Sequence, residues 1–189
     1  MSGVEALRVE VFGLRERVRQ LERENEFLRL HPTFAQGLKG ERFICAITDG
    51  LATELNASFD IVLKNGLKLE VKFSKLNTPE KTAPDTKRWS WSKPLGWLDK
   101  GKDYDFLLLV AERDDRFGDQ YLDNCPYVVF LIPADRVPLI VVAGKAIGSH
   151  VNLTTNFRTV RSPAGRSIIE HMQPYSLVGK LLEVAHPRS

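Results

Sequence analysis

The stretch Ser58-Phe59-Asp60-Ile61-Val62-Leu63-Lys64-Asn65-Gly66-Leu67-Lys68-Leu69-Glu70-Val71-Lys72-Phe73 decides how this chain is read. It predicts two short strands, Phe59–Leu63 and Leu67–Phe73, joined at Lys64-Asn65-Gly66. Both runs are rich in apolar or β-branched residues, the second alternates with period two, and Asn-Gly is a strong hairpin signal. On the second strand Glu70 and Lys72 share one face, while Leu69, Val71 and Phe73 take the other. The length of the turn decides whether Asp60 joins the charged face. A two-residue loop pairs Asp60 with Val71 and turns its side chain to the apolar side. A three-residue loop pairs Leu63 with Leu67 and Asp60 with Glu70, with Gly66 supplying the left-handed residue that such a loop needs. Two carboxylates placed opposite each other repel unless positive charge lies between them. Mg²⁺, which takes one or two carboxylates and keeps several waters, is the natural candidate.

Downstream of the hairpin the chain becomes basic. From Ile61 to Lys102 there are ten Lys/Arg against four Asp/Glu, a balance of +6. From Asp103 to Asp123 there are two against seven, a balance of −5. This asymmetry fits a polyanion-binding face, and a solvated basic loop is the plainer reading of the same charges. The segment Ser74–Asp103 carries Lys75, Lys81, Lys87, Arg88, Lys93, Lys100 and Lys102, with breaks at Pro79, Pro84 and Pro94. Trp89-Ser90-Trp91 puts two tryptophans on one side of a strand, interleaved with Lys87, Arg88 and Lys93. Basic residues alternating with aromatics suit a groove that holds a nucleic-acid backbone and stacks bases. The alternative is tryptophans buried beneath a loop, preferred for Trp97 on a short helix. Arg158, Arg161 and Arg166 form a second, weaker basic cluster.

Upstream, residues 4–28 carry a heptad pattern. Leu7, Leu14, Leu21 and Leu28 recur at d, and Val4, Val11, Val18 and Asn25 at a. β-Branched residues at a with Leu at d favour a parallel dimer, and one Asn at a fixes register and oligomer state. In a parallel pair the g and following e positions match Glu10 with Arg15, Arg17 with Glu22 and Glu24 with Arg29, all opposite in sign. The alternative is one amphipathic helix packed on its own domain. A basic-zipper transcription factor is excluded, because no basic DNA-reading helix precedes the zipper. His31-Pro32 ends the helix. The expected domains are a dimeric coiled coil over 1–31 and a globular domain over 32–189.

Within that domain, Phe43, Ile44, Ile47, Leu51 and Leu55 predict an amphipathic helix with Asp49-Gly50 as an interruption, and Glu41 lies near its start. Tyr104–Ala111 and Tyr127–Ile132 are near-continuous apolar runs, the pattern of strands covered on both faces. Val137–Ala143 reads as a further strand, at an edge given Pro138. Pro163 and Gly165 precede a helical pattern at Ile168, Ile169 and Met172, and another helix follows Pro174 with Leu177, Val178, Leu181 and Leu182. No run approaches the ~18 apolar residues of a membrane helix, and the polar N-terminus is no signal peptide. Cys45 and Cys125 lack metal-binding spacing and read as reduced core residues, pointing to a cytoplasmic protein without zinc or a structural disulfide.

A helix with Glu41, a strand with Phe59-Asp60, a strand with Glu70-Val71-Lys72 and then apolar strands resembles the PD-(D/E)XK nuclease superfamily. The likeness covers roughly Gly37 to the C-terminal helices, with Ser58-Phe59 where the name-giving proline would stand. The resemblance implies an α/β, restriction-endonuclease-like fold, a mixed central sheet flanked by helices. It implies that Asp60 and Glu70 hold one or two Mg²⁺ ions, with Mn²⁺ as a substitute and the Val71 carbonyl as a further ligand. Lys72 would orient or deprotonate the attacking water, and Glu41 would complete the shell or place a second ion. With the zipper, this implies a homodimeric endonuclease acting on double-stranded DNA, of restriction or mobile-element type. The alternatives are a coiled-coil-dimerised DNA-binding or adaptor protein on an inactive scaffold and a nuclease for repair or branched DNA.

Overall fold

The structure, a computed structural model, describes residues 3–30, 32–54, 57–79, 86–97, 100–142 and 149–187. The side chains of Asn25 and Leu28, and residues His31, Leu55, Lys81 and Pro84, lie outside the described part. The chain divides into two compact units, 1–38 and 39–189.

The first unit is dominated by a long helix, α1, Gly3–Leu30. It ends before Pro32, as expected, and Pro32 opens a second helix, α2, Pro32–Thr48. Proline is tolerated there because the first helical N–H groups have no partner within the helix. Leu7, Val11, Leu14, Val18 and Leu21 are all exposed on α1.

The second unit contains the end of α2 and ten short or medium strands among the described residues. In chain order these are β1 (Leu51–Ala52), β2 (Ile61–Val62), β3 (Lys68–Ser74), β4 (Arg88–Ser92) and β5 (Gly96–Trp97). There follow β6 (Lys100–Gly101), β7 (Phe106–Glu112), β8 (Tyr127–Pro133), β9 (His150–Thr154) and β10 (Met172–Gln173). Six of them form one sheet in the order β1-β2-β3-β7-β8-β10. β3 and β7 run parallel and the other neighbours antiparallel, so the sheet is mixed. The apolar runs expected to be central are β7 and β8, each with five consecutive buried residues.

The two faces of this sheet bury different partners. Val71, Leu108, Val110, Val129 and Leu131 meet Ile44 of α2 and Val178 and Leu182 of the last helix, α4, Tyr175–Val184. On the opposite face Leu107, Leu109, Phe130 and Ile132 meet Trp89 and Trp91 of β4, Val151 and Leu153 of β9 and Ile168 of α3, Pro163–Glu170. The antiparallel β4–β9 ribbon is thus a cover, docked where Ser90 N donates to Ser74 Oγ at 2.9 Å. α3 is capped at its start: Ser162 Oγ accepts from Gly165 N at 3.1 Å and Pro163 fills the first turn.

Close helix packing sets one prediction. A Cβ on Gly179 of α4 would lie 2.6 Å from the Ile47 carbonyl of α2. Backbone cannot yield as a flexible side chain does, so Gly179→Ala must force the helices apart, at about 1–3 kcal/mol. A melting temperature several degrees below wild type is expected; an unchanged one would contradict this packing.

Several expectations are corrected. The first hairpin strand is only Ile61–Val62, because residues 57–60 bend and Asp60 O accepts from Thr53 N at 2.9 Å. α2 stops at Thr48 rather than running on to Leu51; Asp49 takes a φ of 53°, and Leu51–Ala52 pairs with β2. Of the strand expected over Val137–Ala143, residues 137–139 belong to a 3-10 helix, Ala134–Leu139, that contains Pro138, Val142 makes an isolated bridge to His150, and Ala143 lies outside the described residues. Pro138 has no N–H to offer a ladder. Gly165 lies inside α3, not before it, and Met172 pairs with Phe130 in β10 instead of ending a helix. Trp97 lies on a strand, not a helix. Strand β9 adds to the expected elements, and its Val151, Asn152 and Leu153 alternate with period two. Cys45 and Cys125 are both free thiols. Among the described residues no helix is long and apolar enough to cross a membrane.

Candidate functional site

The hairpin has the three-residue register. Ile61 pairs with Leu69 and Val62 with Lys68, Leu63 N donates to Leu67 O at 2.9 Å, and Gly66 sits at φ 85°. Carried one residue further, this register sets Asp60 across from Glu70, but the ladder ends at Ile61. Beyond it, β3 from Glu70 to Ser74 pairs, among the described residues, with β7 alone. Asp60 fills the gap with its side chain. Its Oδ2 accepts from Val71 N at 2.8 Å, and its own N–H donates to Leu69 O at 2.9 Å. An unpaired sheet N–H at this depth costs free energy comparable to a lost hydrogen bond, so a carboxylate in the place of a strand is well used.

Glu70 is fully buried, at 0% exposure, on the face opposite Leu69 and Val71. Lys72 Nζ donates to Glu70 Oε1 in a short contact and to the Val71 carbonyl at 3.3 Å, and stands 3.7 Å from Asp60 Oδ2. A single ammonium therefore sits where a glutamate, an aspartate and a backbone carbonyl converge. Glu70 Oε2 makes no aligned hydrogen bond, and its charge is met by Lys102 Nζ at 3.0 Å.

The electrostatics follow from this crowding. Burial pushes the Glu70 carboxyl above the ordinary glutamate range; Lys72 pulls it back and the Asp60 charge raises it again. Burial also raises Glu41, and the charge of Asp60 adds to it against the opposing charge of Lys72. Burial by itself depresses the Lys72 ammonium, but Glu70 and Asp60 outweigh it and the net shift is upward.

The donor set suits a hard divalent cation. Asp60, Glu70 and the Val71 carbonyl offer oxygen, and the buried Glu70 Oε2 makes no aligned hydrogen bond. Mg²⁺ needs no more than one or two carboxylates. The three-carboxylate shell is another matter. Among the described residues no group of three or more His, Cys, Asp or Glu side chains stands close enough to hold an ion. Glu41 is thus near enough to feel the other charges but is not assembled with Asp60 and Glu70 as a ligand.

The expected nucleic-acid residues divide. Trp89 and Trp91 are 0% and 1% exposed, and their Nε1 groups donate to Glu112 O at 2.8 Å and Val110 O at 3.0 Å. They cannot stack on bases from there. The alternation of β4 that put them on one face turned that face inward, leaving Arg88, Ser90 and Ser92 exposed. Lys75 is exposed, while Lys87 and Lys93 are half-buried. Lys87 binds Thr78 Oγ1, and Lys93 N donates to Ser149 O at 2.7 Å. Arg158 pairs with Asp119 of the acidic segment, and Arg161 Nη1 donates to Arg158 O at 2.9 Å.

Lys102 is the member of the site that sequence reasoning missed. Its only signal was its place in the basic segment before the Tyr104 run. What brings it to Glu70 is the parallel pairing of β3 with β7, which sets Glu70 beside Leu107. Compared with known proteins, the chain matches no family and no curated relative.

Proposed function

We propose that the chain is a Mg²⁺-dependent, homodimeric endonuclease that hydrolyses phosphodiester bonds in double-stranded DNA, on a restriction-endonuclease-like PD-(D/E)XK scaffold of restriction or mobile-element type. The observation that carries this reading is the convergence of Glu70 Oε1, Val71 O and Asp60 Oδ2 on one cationic point, held by Lys72 Nζ. Asp60, Glu70 and the Val71 carbonyl would hold the ion. Mg²⁺ when bound supplies Lewis-acid charge at the phosphate and acidifies water. Lys72, still attached to the Val71 carbonyl and Asp60, would orient the attacking water and offset charge building on the phosphate. Glu41 would bear on the site through its charge. The exposed Lys75 and Arg88 of the basic segment would meet the backbone.

The exposed stripe of Leu7, Val11, Leu14, Val18 and Leu21 supports a parallel zipper with a second copy. Two sites related by a dyad suit the two antiparallel strands of a duplex. Leu14→Lys is expected to convert dimer to monomer in sedimentation equilibrium; a dimer of unchanged strength would remove the zipper from this account.

The test of the activity is plasmid DNA incubated with Mg²⁺. Discrete bands mean sequence-specific cutting, and a smear means non-specific cutting. An intact plasmid favours a second reading, a coiled-coil-dimerised DNA-binding or adaptor protein on an inactive scaffold of this kind. That reading draws on the two lysines, which already neutralise both oxygens of Glu70 without a metal.

The raised carboxyls also fix the sign of a pH effect. A folded-state pKa above the unfolded one means that the folded protein binds more protons, so this contribution to stability is full below the ordinary glutamate range and is lost as pH rises through the folded value. Replacing Glu41 by Gln removes that loss. The melting temperature of Glu41→Gln relative to wild type should therefore be more favourable at pH 8 than at pH 4.5; a constant difference would contradict the raised Glu41.

A further inference from the structure

We propose that Lys102 competes with the divalent cation for Glu70, and so sets the metal concentration at which the site becomes loaded. The proposal rests on the nuclease reading above. Glu70 has two carboxylate oxygens, and each is met by a different lysine. Oε1 belongs to Lys72, two residues along the same strand; Oε2 belongs to Lys102, at 3.0 Å, from the segment leading into β7. In charge, the two carboxylates Asp60 and Glu70 balance the two ammoniums Lys72 and Lys102. An arriving cation must displace an ammonium to reach a buried oxygen.

Lys102 is the one positioned to yield. Lys72 has further acceptors, the Val71 carbonyl and Asp60, to which it stays attached. The bond from Lys102 to Oε2 is an ion pair without hydrogen-bond alignment, and the side chain is 22% exposed, so its head can retreat to water. Its backbone, in contrast, is fixed on the C-terminal side. Buried Tyr104 donates its hydroxyl to Pro94 O at 2.7 Å, and buried Asp105 accepts from Lys68 N at 2.9 Å and donates its own N–H to Lys68 O at 2.8 Å. These anchors hold Lys102 within reach of Glu70 whether or not the pair is made. Lys102 is thus a positioning residue, poised against the metal.

The experiment is a calorimetric titration of the full chain with Mn²⁺ alone, without DNA. Wild type is compared with Lys102→Met, Lys102→Arg, Lys68→Met and Glu70→Gln, with the fold of each checked by its thermal melt. Removing a charge a few ångströms from the ion should tighten Mn²⁺ binding at least about fivefold in Lys102→Met. Lys102→Arg keeps the cation and should bind as wild type does. Lys68→Met removes a charge from the same strand, but one that faces Asp103, and should change affinity less than about twofold. Should wild type bind Mn²⁺ and Glu70→Gln lose it, while Lys102→Met binds as wild type or matches Lys68→Met, the competition is overturned and the metal site stands. Should wild type fail to bind, or Glu70→Gln bind equally well, the metal site itself falls and the proposal with it.

Discussion

Glu70→Ala is expected to abolish Mg²⁺-dependent cleavage of plasmid DNA while leaving DNA binding in place. Glu70 is the fully buried acid around which Lys72, Lys102 and Asp60 are arranged, and its side chain is paired with both lysines. Without it the cation loses its innermost carboxylate, and the rate should fall by at least about a hundredfold, the scale for removing one electrostatic partner from a reacting centre. The fold should survive, since both lysines are about a fifth exposed and their heads can turn to water, and Lys72 keeps Asp60. Glu70→Gln, which preserves shape, should be equally inactive. Cleavage retained by either variant across a metal titration would sink the site assignment. Wild type that binds DNA but never cuts it would favour the inactive scaffold.

Trp89→Ala should unfold the second unit far more readily than it weakens any contact with DNA. Trp89 is fully buried among Trp91, Tyr121, Phe130 and Phe157, with ring centroids near 6 Å, and ties the β4–β9 ribbon to the sheet through Glu112 O. Truncating a buried tryptophan costs about 3–5 kcal/mol, a fall of roughly 10 °C in melting temperature for a domain of this size. Trp89→Phe keeps most of the packing and loses one hydrogen bond, about 1 kcal/mol. Circular dichroism melts separate the cases. A Trp89→Ala protein that melts like wild type but binds DNA poorly would return Trp89 to an exposed, base-stacking role.

What was legible in the chain was local chemistry. Asn65-Gly66 and the period-two alternation after it determined the hairpin and the face shared by Glu70 and Lys72, because turn signals and pleat depend only on neighbours in sequence, while the choice of the three-residue loop came from the observed register. The apolar runs determined β7 and β8 for the same reason. The strand ends were less legible. Nothing local says that β2 stops at Ile61, because that depends on whether a partner continues beside β3.

The direction in which an amphipathic face points also escaped. Trp89, Trp91 and the cations around them suggested an open groove, and their alternation was real, but which side met the core was decided by the docking of β4 on the sheet. The candidate site divides along the same line. Asp60, Glu70 and Lys72 stand within a dozen residues of each other, and sequence by itself determined that they belong together. The approach of Lys102 to Glu70, and the standing of Glu41 apart from the other carboxylates, were decided only by tertiary structure. The parallel pairing of β3 with β7 closes a long loop to bring Lys102 to Glu70. Such long-range pairing is settled by burial and register across the whole sheet, which no local stretch encodes.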